Sequence, residues 1–216
     1  MPRSPSACTS TLLLVALLAA IAGGPAAASS FEIVPLAGYR VGGAFYDTSI
    51  EANRDVQEHA SFGIAFNLDR TSDTQWELTY SREDTAIEAL GSSPTTEPLD
   101  LRIDYLQFGG TFFWSEADRT GYEPYVVGGL GLTRFSPSRP GLDERIEPSM
   151  NVGVGLRVPL SRRVALRIEA RGYLTLLETE GSIFCRSDFG DAACTIHARA
   201  KGFWQIEGLI GLAFRL

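Results

Sequence analysis

Three observations on the sequence predict an all-β chain, an eight-stranded antiparallel up-and-down transmembrane β-barrel with four long extracellular loops and three short periplasmic turns. Polarity alternates with a period of two, the connections run long and short by turns, and an apolar face continues to the last residue. The sharpest alternation is FWQIEGLIGLAFRL (203–216). Trp204, Ile206, Gly208, Ile210, Leu212, Phe214 and Leu216 fall on one side, and Phe203, Gln205, Glu207, Leu209, Gly211, Ala213 and Arg215 on the other. A strand turns successive side chains to opposite faces, so the segment has one apolar and one mostly polar or small face. It exceeds the usual soluble strand of about six residues. It also exceeds the roughly 9–11 tilted residues that cross a bilayer as β-structure.

Composition permits this. A chain of 216 residues has room for one domain of moderate size. With 21% charged residues and a mean hydropathy of +0.02, it is neither a disordered chain nor a bundle of membrane helices. The net charge of −7, with Lys201 the single lysine among 19 basic residues, argues against a nucleic-acid partner, which requires a basic surface.

The amino terminus reads as a secretory signal segment over 1–28: Arg3, an apolar stretch from Thr11 to Ala22, then Ala26-Ala27-Ala28. The apolar run is short of the roughly 20 residues a spanning helix needs. Residues 29–216 form the predicted barrel domain. Cleavage removes Arg3 and Cys8.

The strands follow in order. Phe31–Phe45 sets Ile33, Ala37, Tyr39 and Val41 against Glu32, Gly38, Arg40 and Gly42. Ala60–Asp69 opposes Phe62, Ile64, Phe66 and Leu68 to Ser61, Gly63, Ala65 and Asn67. Thr74–Arg82 opposes Trp76, Leu78 and Tyr80 to Gln75, Glu77, Thr79 and Ser81. Leu99–Trp114 begins by alternating Leu101, Ile103 and Tyr105 with Asp100, Arg102 and Asp104, then loses its phase over 106–110. In Tyr122–Phe135 the run VVGGLGL fits either face, and paired glycines often mark a bulge or a close backbone approach. Ser149–Val158 separates Met150, Val152, Val154 and Leu156 from Asn151, Gly153, Gly155 and Arg157. Val164–Leu177 separates Leu166, Ile168 and Leu174 from Arg167, Glu169, Arg171 and Tyr173. The last strand is 203–216. Period two throughout is the strand signal.

Connections at 47–59, 84–99, 136–148 and 178–202 are long, and those at 70–73, 115–121 and 159–163 are short, which is the pattern of an outer-membrane barrel with both termini on the short-turn side. Aromatics band at two levels. Phe31, Trp76, Trp114, Tyr122 and Phe214 lie near the short turns, and Phe45, Tyr80, Phe135 and Trp204 near the long loops. The structural rival is a soluble lipocalin-like barrel, which turns the same alternation inside out. Loop alternation and aromatic bands favour the membrane version, in the outer membrane of a Gram-negative bacterium.

The segments EIVPLAGYRVGGAF (32–45), EPYVVGGLGLTRF (123–135) and FWQIEGLIGLAFRL (203–216) resemble the outer-membrane protein β-barrel domain family, which shares the eight-stranded barrel of outer-membrane protein A. The resemblance spans the mature chain and implies a fold, not an activity. One departure is Leu216 in place of the usual terminal aromatic, which leaves Phe214 and its apolar set for recognition by the barrel-insertion machinery.

Taken inward, the polar face collects Arg40, Arg102, Arg157, Arg167, Arg171 and Arg215 with Glu32, Glu77, Asp104, Glu169 and Glu207. An eight-stranded barrel is just wide enough for its own side chains, so this set predicts a paired ionic plug. A conducting path would want a lumen of one sign. His59-Ala60-Ser61 places a base and a hydroxyl on one face, and distantly resembles the lipid A deacylase barrels. Those carry His-x-Ser-Asn near the other end, however, and Phe62 follows Ser61 here. Chance pairs of this kind far outnumber triads, so no enzyme is expected. The acidic loops, Asp47, Glu51, Asp55, Glu58 with His59 and Glu83, Asp84, Glu88, Glu97, match no calcium-loop pattern, and neither metal nor cofactor is expected. Cys185 and Cys194 are the mature chain's cysteines, and an oxidising periplasm predicts their disulfide. The expected partners are outer-membrane lipid and lipopolysaccharide, the insertion machinery and a surface ligand met by the loops of a monomer. A structural or surface-interaction role leads, with a lipid A-modifying enzyme or a narrow channel as alternatives.

Overall fold

The computed structural model describes residues 30–47, 52–87, 99–114, 121–138, 142–177, 183–188, 191–196 and 202–216. The predicted signal segment lies outside them. Twelve strands are described: β1 (Phe31–Val41), β2 (Ala44–Asp47), β3 (Ala52–Asp55), β4 (His59–Asp69), β5 (Thr74–Ile87), β6 (Leu99–Phe113), β7 (Glu123–Pro137), β8 (Arg145–Pro159), β9 (Val164–Thr175), β10 (Ile183–Asp188), β11 (Asp191–Ile196) and β12 (Phe203–Arg215). Eight of them close a barrel in the order β1-β12-β9-β8-β7-β6-β5-β4, antiparallel at every seam. The pair β10–β11 is a hairpin inside the fourth predicted loop, whereas β2–β3 takes the end of the first predicted strand: that strand, expected over 31–45, leaves the barrel at Val41, where Gly42 and Gly43 have positive φ.

Register fixes the shape. From Arg157 the partners run Arg167, Gly211, Leu36, Gly63, Ser81, Tyr105, Thr133 and back to β8 at Glu147, a stagger of ten residues per circuit. Such a stagger tilts the strands by about 35–45° and leaves an interior that side chains can fill.

Through most of the height the apolar set faces out. Phe62 (68% exposed), Leu130 (68%) and Val152 (69%) stand on the outer wall with Trp76, Phe108 and Ile210. Each such side chain left in water forgoes about 1.5–3 kcal/mol of burial, so the wall is built for lipid and not for a lipocalin's aqueous exterior. The short-turn girdle is present, with Phe31, Trp76, Trp114, Tyr122 and Phe214 exposed.

Three expectations are corrected and one open alternative is decided. Of a bulge and a close backbone approach, the glycine pairs make the second: Gly109 faces Gly129 and Gly110 faces Gly128 in unbroken register. Their absent side chains allow close approach, since a Cβ on Gly109 would lie 2.0 Å from the Gly128 carbonyl oxygen. Phe135 is not in a girdle but inside the barrel, edge-on to Phe203 at 5.3 Å between centroids. Strands β7 and β8 run on to Pro137 and from Arg145, so the third long connection shrinks to 138–144. Finally, Arg102 and Asp104 point outward. They pair across the wall with Asp84 and Arg82, residues on the same face as Trp76 and Leu78. Here the wall has risen above the apolar belt, where charge belongs outside and Leu101, Ile103 and Tyr105 belong inside.

Candidate functional site

The lumen is stacked in four levels. At the short-turn mouth, Arg157 bridges Glu32 (2.9 Å) and Glu123 (2.6 Å), and Asp69 takes the Gln75 amide (2.7 Å), the Ser30 hydroxyl and, more loosely, Arg215 (3.6 Å). Strand β8 delivers Arg157 because its inward set is small, with Asn151, Gly153 and Gly155 leaving the long guanidinium room to lie across the mouth.

Above lies a square of two acids and two bases. The Glu77 carboxylate meets Arg171 (2.8 Å) and Arg167 (3.1 Å), and Glu169 meets Arg171 (2.5 Å) and Arg167 (3.1 Å). The Tyr125 hydroxyl accepts from Arg167 (3.0 Å) and donates to Glu169 (2.8 Å). Its ring lies over Gly155, where a Cβ would come within 2.2 Å of it. Thr79 donates to Glu77 at 2.8 Å. In the amide orientation that satisfies both its atoms, Asn67 accepts from Arg167 and donates to Glu77. A buried ion costs several kcal/mol unless paired, and here each is paired twice.

The third level centres on Arg40, which meets Glu207 (3.0 Å), Glu83 (3.3 Å) and the Ser81 hydroxyl (2.6 Å). Tyr173 donates to Glu207 (2.7 Å), Gln205 donates to Glu83 (3.2 Å), and Tyr105 donates to the Gln205 carbonyl (2.9 Å). The rings of Tyr105 and Tyr173 stack at 4.1 Å, and the Arg40 guanidinium lies 4.7 and 5.5 Å from them. The fourth level is apolar: Val56, Ile87, Leu99, Leu101, Ile103, Phe135, Leu177 and Phe203 pack together above the ions.

Of the predicted lumen residues, Arg40, Glu77, Arg157, Arg167, Glu169, Arg171 and Glu207 therefore meet inside, and Arg215 sits at the rim. Arg102 and Asp104 do not join them. Asp104 is 5% exposed, held on the outer wall by Arg134 (2.7 Å) and the Tyr80 hydroxyl (2.7 Å), and Arg102 pairs with Asp84 at 2.8 Å. Those hydrogen bonds hold the Arg102 and Arg134 guanidinium groups above their ordinary pKa. Glu83, read from the sequence as an acidic loop residue, is instead buried on β5 against Arg40, and Glu123 escaped the sequence reading altogether. Continuing the inward alternation Gln75, Glu77, Thr79, Ser81 by one step would have found Glu83.

His59 opens β4 with an exposed ring, 3.5 Å from the Gln57 carbonyl, while Ser61 is fully buried in the lumen. No hydrogen bond joins the two among the described residues. Cys185 and Cys194 are register partners across the β10–β11 hairpin. Of the acidic loop residues, Glu51, Glu88 and Glu97 lie outside the described residues.

No family model and no curated protein matches the chain. Solved structures do. Neisserial surface protein A matches with a TM-score of 0.56 at 14% identity, over 86% of this chain and 97% of that one. The outer-membrane protein OprG from Pseudomonas aeruginosa matches with 0.55 at 11%, over 88% and 96%. The fold is that of an eight-stranded outer-membrane barrel. The outer-membrane protein AlkL, solved in lipid bilayers, matches over 100% of this chain and 97% of its own with a TM-score of 0.51 at 13% identity. At these identities the likeness concerns the barrel alone. The ionic levels, the apolar cap and the outward Asp104 cluster are properties read from this chain's own residues.

Proposed function

We propose that the chain is an integral, monomeric barrel of the Gram-negative outer membrane that works as a closed, rigid platform. Its short turns face the periplasm, and its β2–β3 and β10–β11 hairpins present the contact surface outside. The observation that carries this is the stacking of an apolar level on three ionic ones. What supports a closed lumen is that each acid of the square is held by two guanidinium groups and that the level above is mainly hydrocarbon and aromatic, with the inward Glu147 and Arg145 of β8 pairing beside it at 3.8 Å. That a matching structure is named a surface protein agrees with this role. The reading assigns no catalysis to His59 and Ser61, needs no cofactor, and takes lipid, lipopolysaccharide and the insertion machinery as the envelope partners. Planar-bilayer recordings should show no sustained conductance above leak, while an epitope placed in 48–51 is labelled on intact cells. A steady ion-selective current would replace the platform with a channel.

The register of Cys185 and Cys194 supports a disulfide closing the outer hairpin. Non-reducing intact-mass analysis should find about two protons fewer than the dithiol, consistent with a tie worth about 2–3 kcal/mol in the chain-entropy model. Free alkylation of both thiols in unreduced protein would rule the tie out.

A further inference from the structure

The outer wall is not uniformly ridged. Where β6 and β7 pair, Gly110 faces Gly128, and both fall on the outward side of their strands. Phe108 and Leu130 stand above them, Phe112 and Val126 below. Trp76 of β5 and Val152 of β8 continue the same row to either side. Paired strands lie roughly 4.8 Å apart, so the two missing side chains leave a furrow two strands wide. It forms a notch of about 530 Å³. The stagger tilts the row: Trp76 stands two residues from the start of β5, whereas Val152 stands seven from the end of β8. The notch therefore climbs from the short-turn interface into the apolar belt.

Its lower end is not apolar. Arg70 and Thr74 line it beside Trp76. The Arg70 guanidinium lies 5.1 Å from the centroid of the Trp76 ring, and no carboxylate pairs with it among the described residues. The acids of the same turn, Asp69 and Asp73, line the lumen mouth and not the notch. The turn thus sorts its charge by side, acids toward the lumen and an unpaired cation toward the lipid. An apolar furrow that runs down to an unpaired guanidinium complements an acyl chain that ends in a phosphate. A zwitterionic headgroup brings its own cation to that phosphate. An anionic headgroup does not, so the Arg70 charge favours the anionic one. We propose that the notch binds one anionic glycerophospholipid, its phosphate on Arg70 and one acyl chain lying across Gly110 and Gly128. The choice of the inner leaflet rests on the orientation in the platform reading, whereas the site itself needs neither a closed lumen nor the outer hairpins. Conductance tests the platform and lipid contact tests the notch, so either can fail alone.

Trp76 supplies the readout. Changing Trp114 and Trp204 to Phe leaves it as the sole tryptophan of three. The protein is folded into vesicles of phosphatidylglycerol mixed with phosphatidylcholine, one of the two carrying brominated acyl chains that quench a tryptophan they touch. Phosphatidylglycerol should occupy the site beside Trp76 about fivefold more readily than phosphatidylcholine, the scale of one basic residue acting on an anionic headgroup. Arg70→Gln should bring that ratio to about one. Gly128→Leu, where an added Cβ meets the Asn151 carbonyl oxygen at 3.5 Å, should fill the notch and lower quenching by either lipid. A protein keeping Trp204 alone, at the long-loop end of β12, should show a ratio of about one. Heat-modifiable migration checks that each variant is folded, and Gly128→Leu decides should Arg70→Gln fail to fold. A ratio near one at Trp76, an equal preference at Trp204, or an unchanged ratio in Arg70→Gln would overturn the assignment. A dimer that shields Trp76 from both lipids would overturn it too, and give the notch to a second copy.

Discussion

Strand β6 holds two regions in one straight run. Below Tyr105 it turns Leu106, Phe108 and Phe112 outward and Gln107 and Thr111 inward. Above Tyr105 it turns Asp104, Arg102 and Asp100 outward and Ile103, Leu101 and Leu99 inward. The backbone keeps its phase, and the surroundings change. In the lower region the outside is hydrocarbon, so the lumen must hold the polar groups and satisfy them there. In the upper region the outside is water, and the barrel reverts to the core of a soluble protein. Strand β7 repeats the change between Leu132 and Arg134 outside and between Thr133 and Phe135 inside. On these two strands the polarity of a face therefore changes with height along the axis, while β8 keeps its sorting, with Ile146 outward beside Arg134 and Glu147 inward.

The largest effect should come from breaking the square in the lower region. Arg171→Leu leaves Glu77 and Glu169 each short of a cation and should cost about 3–5 kcal/mol in reversible urea unfolding from lipid vesicles. A loss below 1 kcal/mol would mean the ions are solvated and the lumen is wet. Next is a test of where the boundary lies. Leu130→Arg, on the outer wall of the lower region, should cost about 2–4 kcal/mol, whereas Ile146→Arg, beside Arg134 in the upper region, should cost about 0–1 kcal/mol. Equal costs would abolish the distinction between the regions. The smallest effect belongs to Arg102→Ala, which removes a pair exposed to water and should change unfolding by less than about 1 kcal/mol. A cost as large as that of Arg171→Leu would return Arg102 to the lumen.

The strand count, the closure and the facing of β8, β9 and β12 were legible because the outward set of each stays apolar along its run. There a single rule, apolar outward, sorts Met150 from Asn151 and Ile168 from Arg167. The rule failed on β6 because Tyr105 and Leu106 are adjacent apolar residues that belong to different regions. Their adjacency reads as lost phase when it is a change of solvent. Arg102 and Asp104 were assigned to the lumen for the same reason. The ion pairs were not legible individually. Arg40 and Glu207 are separated by 167 residues, and only the stagger of the closed barrel decides which acids a base can reach. The lining of the mouth was invisible too, since Asp69, Gln75 and Arg215 come from three strands, each of which reads as merely polar at its end.

That stagger also imposes an order in time. Arg40 belongs to the first barrel strand and Glu207 to the last, and the square joins β5 to β9 across the interior. Glu169 shares β9 with Arg167 and Arg171 and can meet them early, but Arg40 cannot reach Glu207 until the final strand has been made and the seam between β1 and β12 is closing. Until then the third level lacks one of its two acids, so the full lumen network is completed only at closure. A chain built this way should assemble late and all at once, as expected when the contacts that matter are the most distant ones.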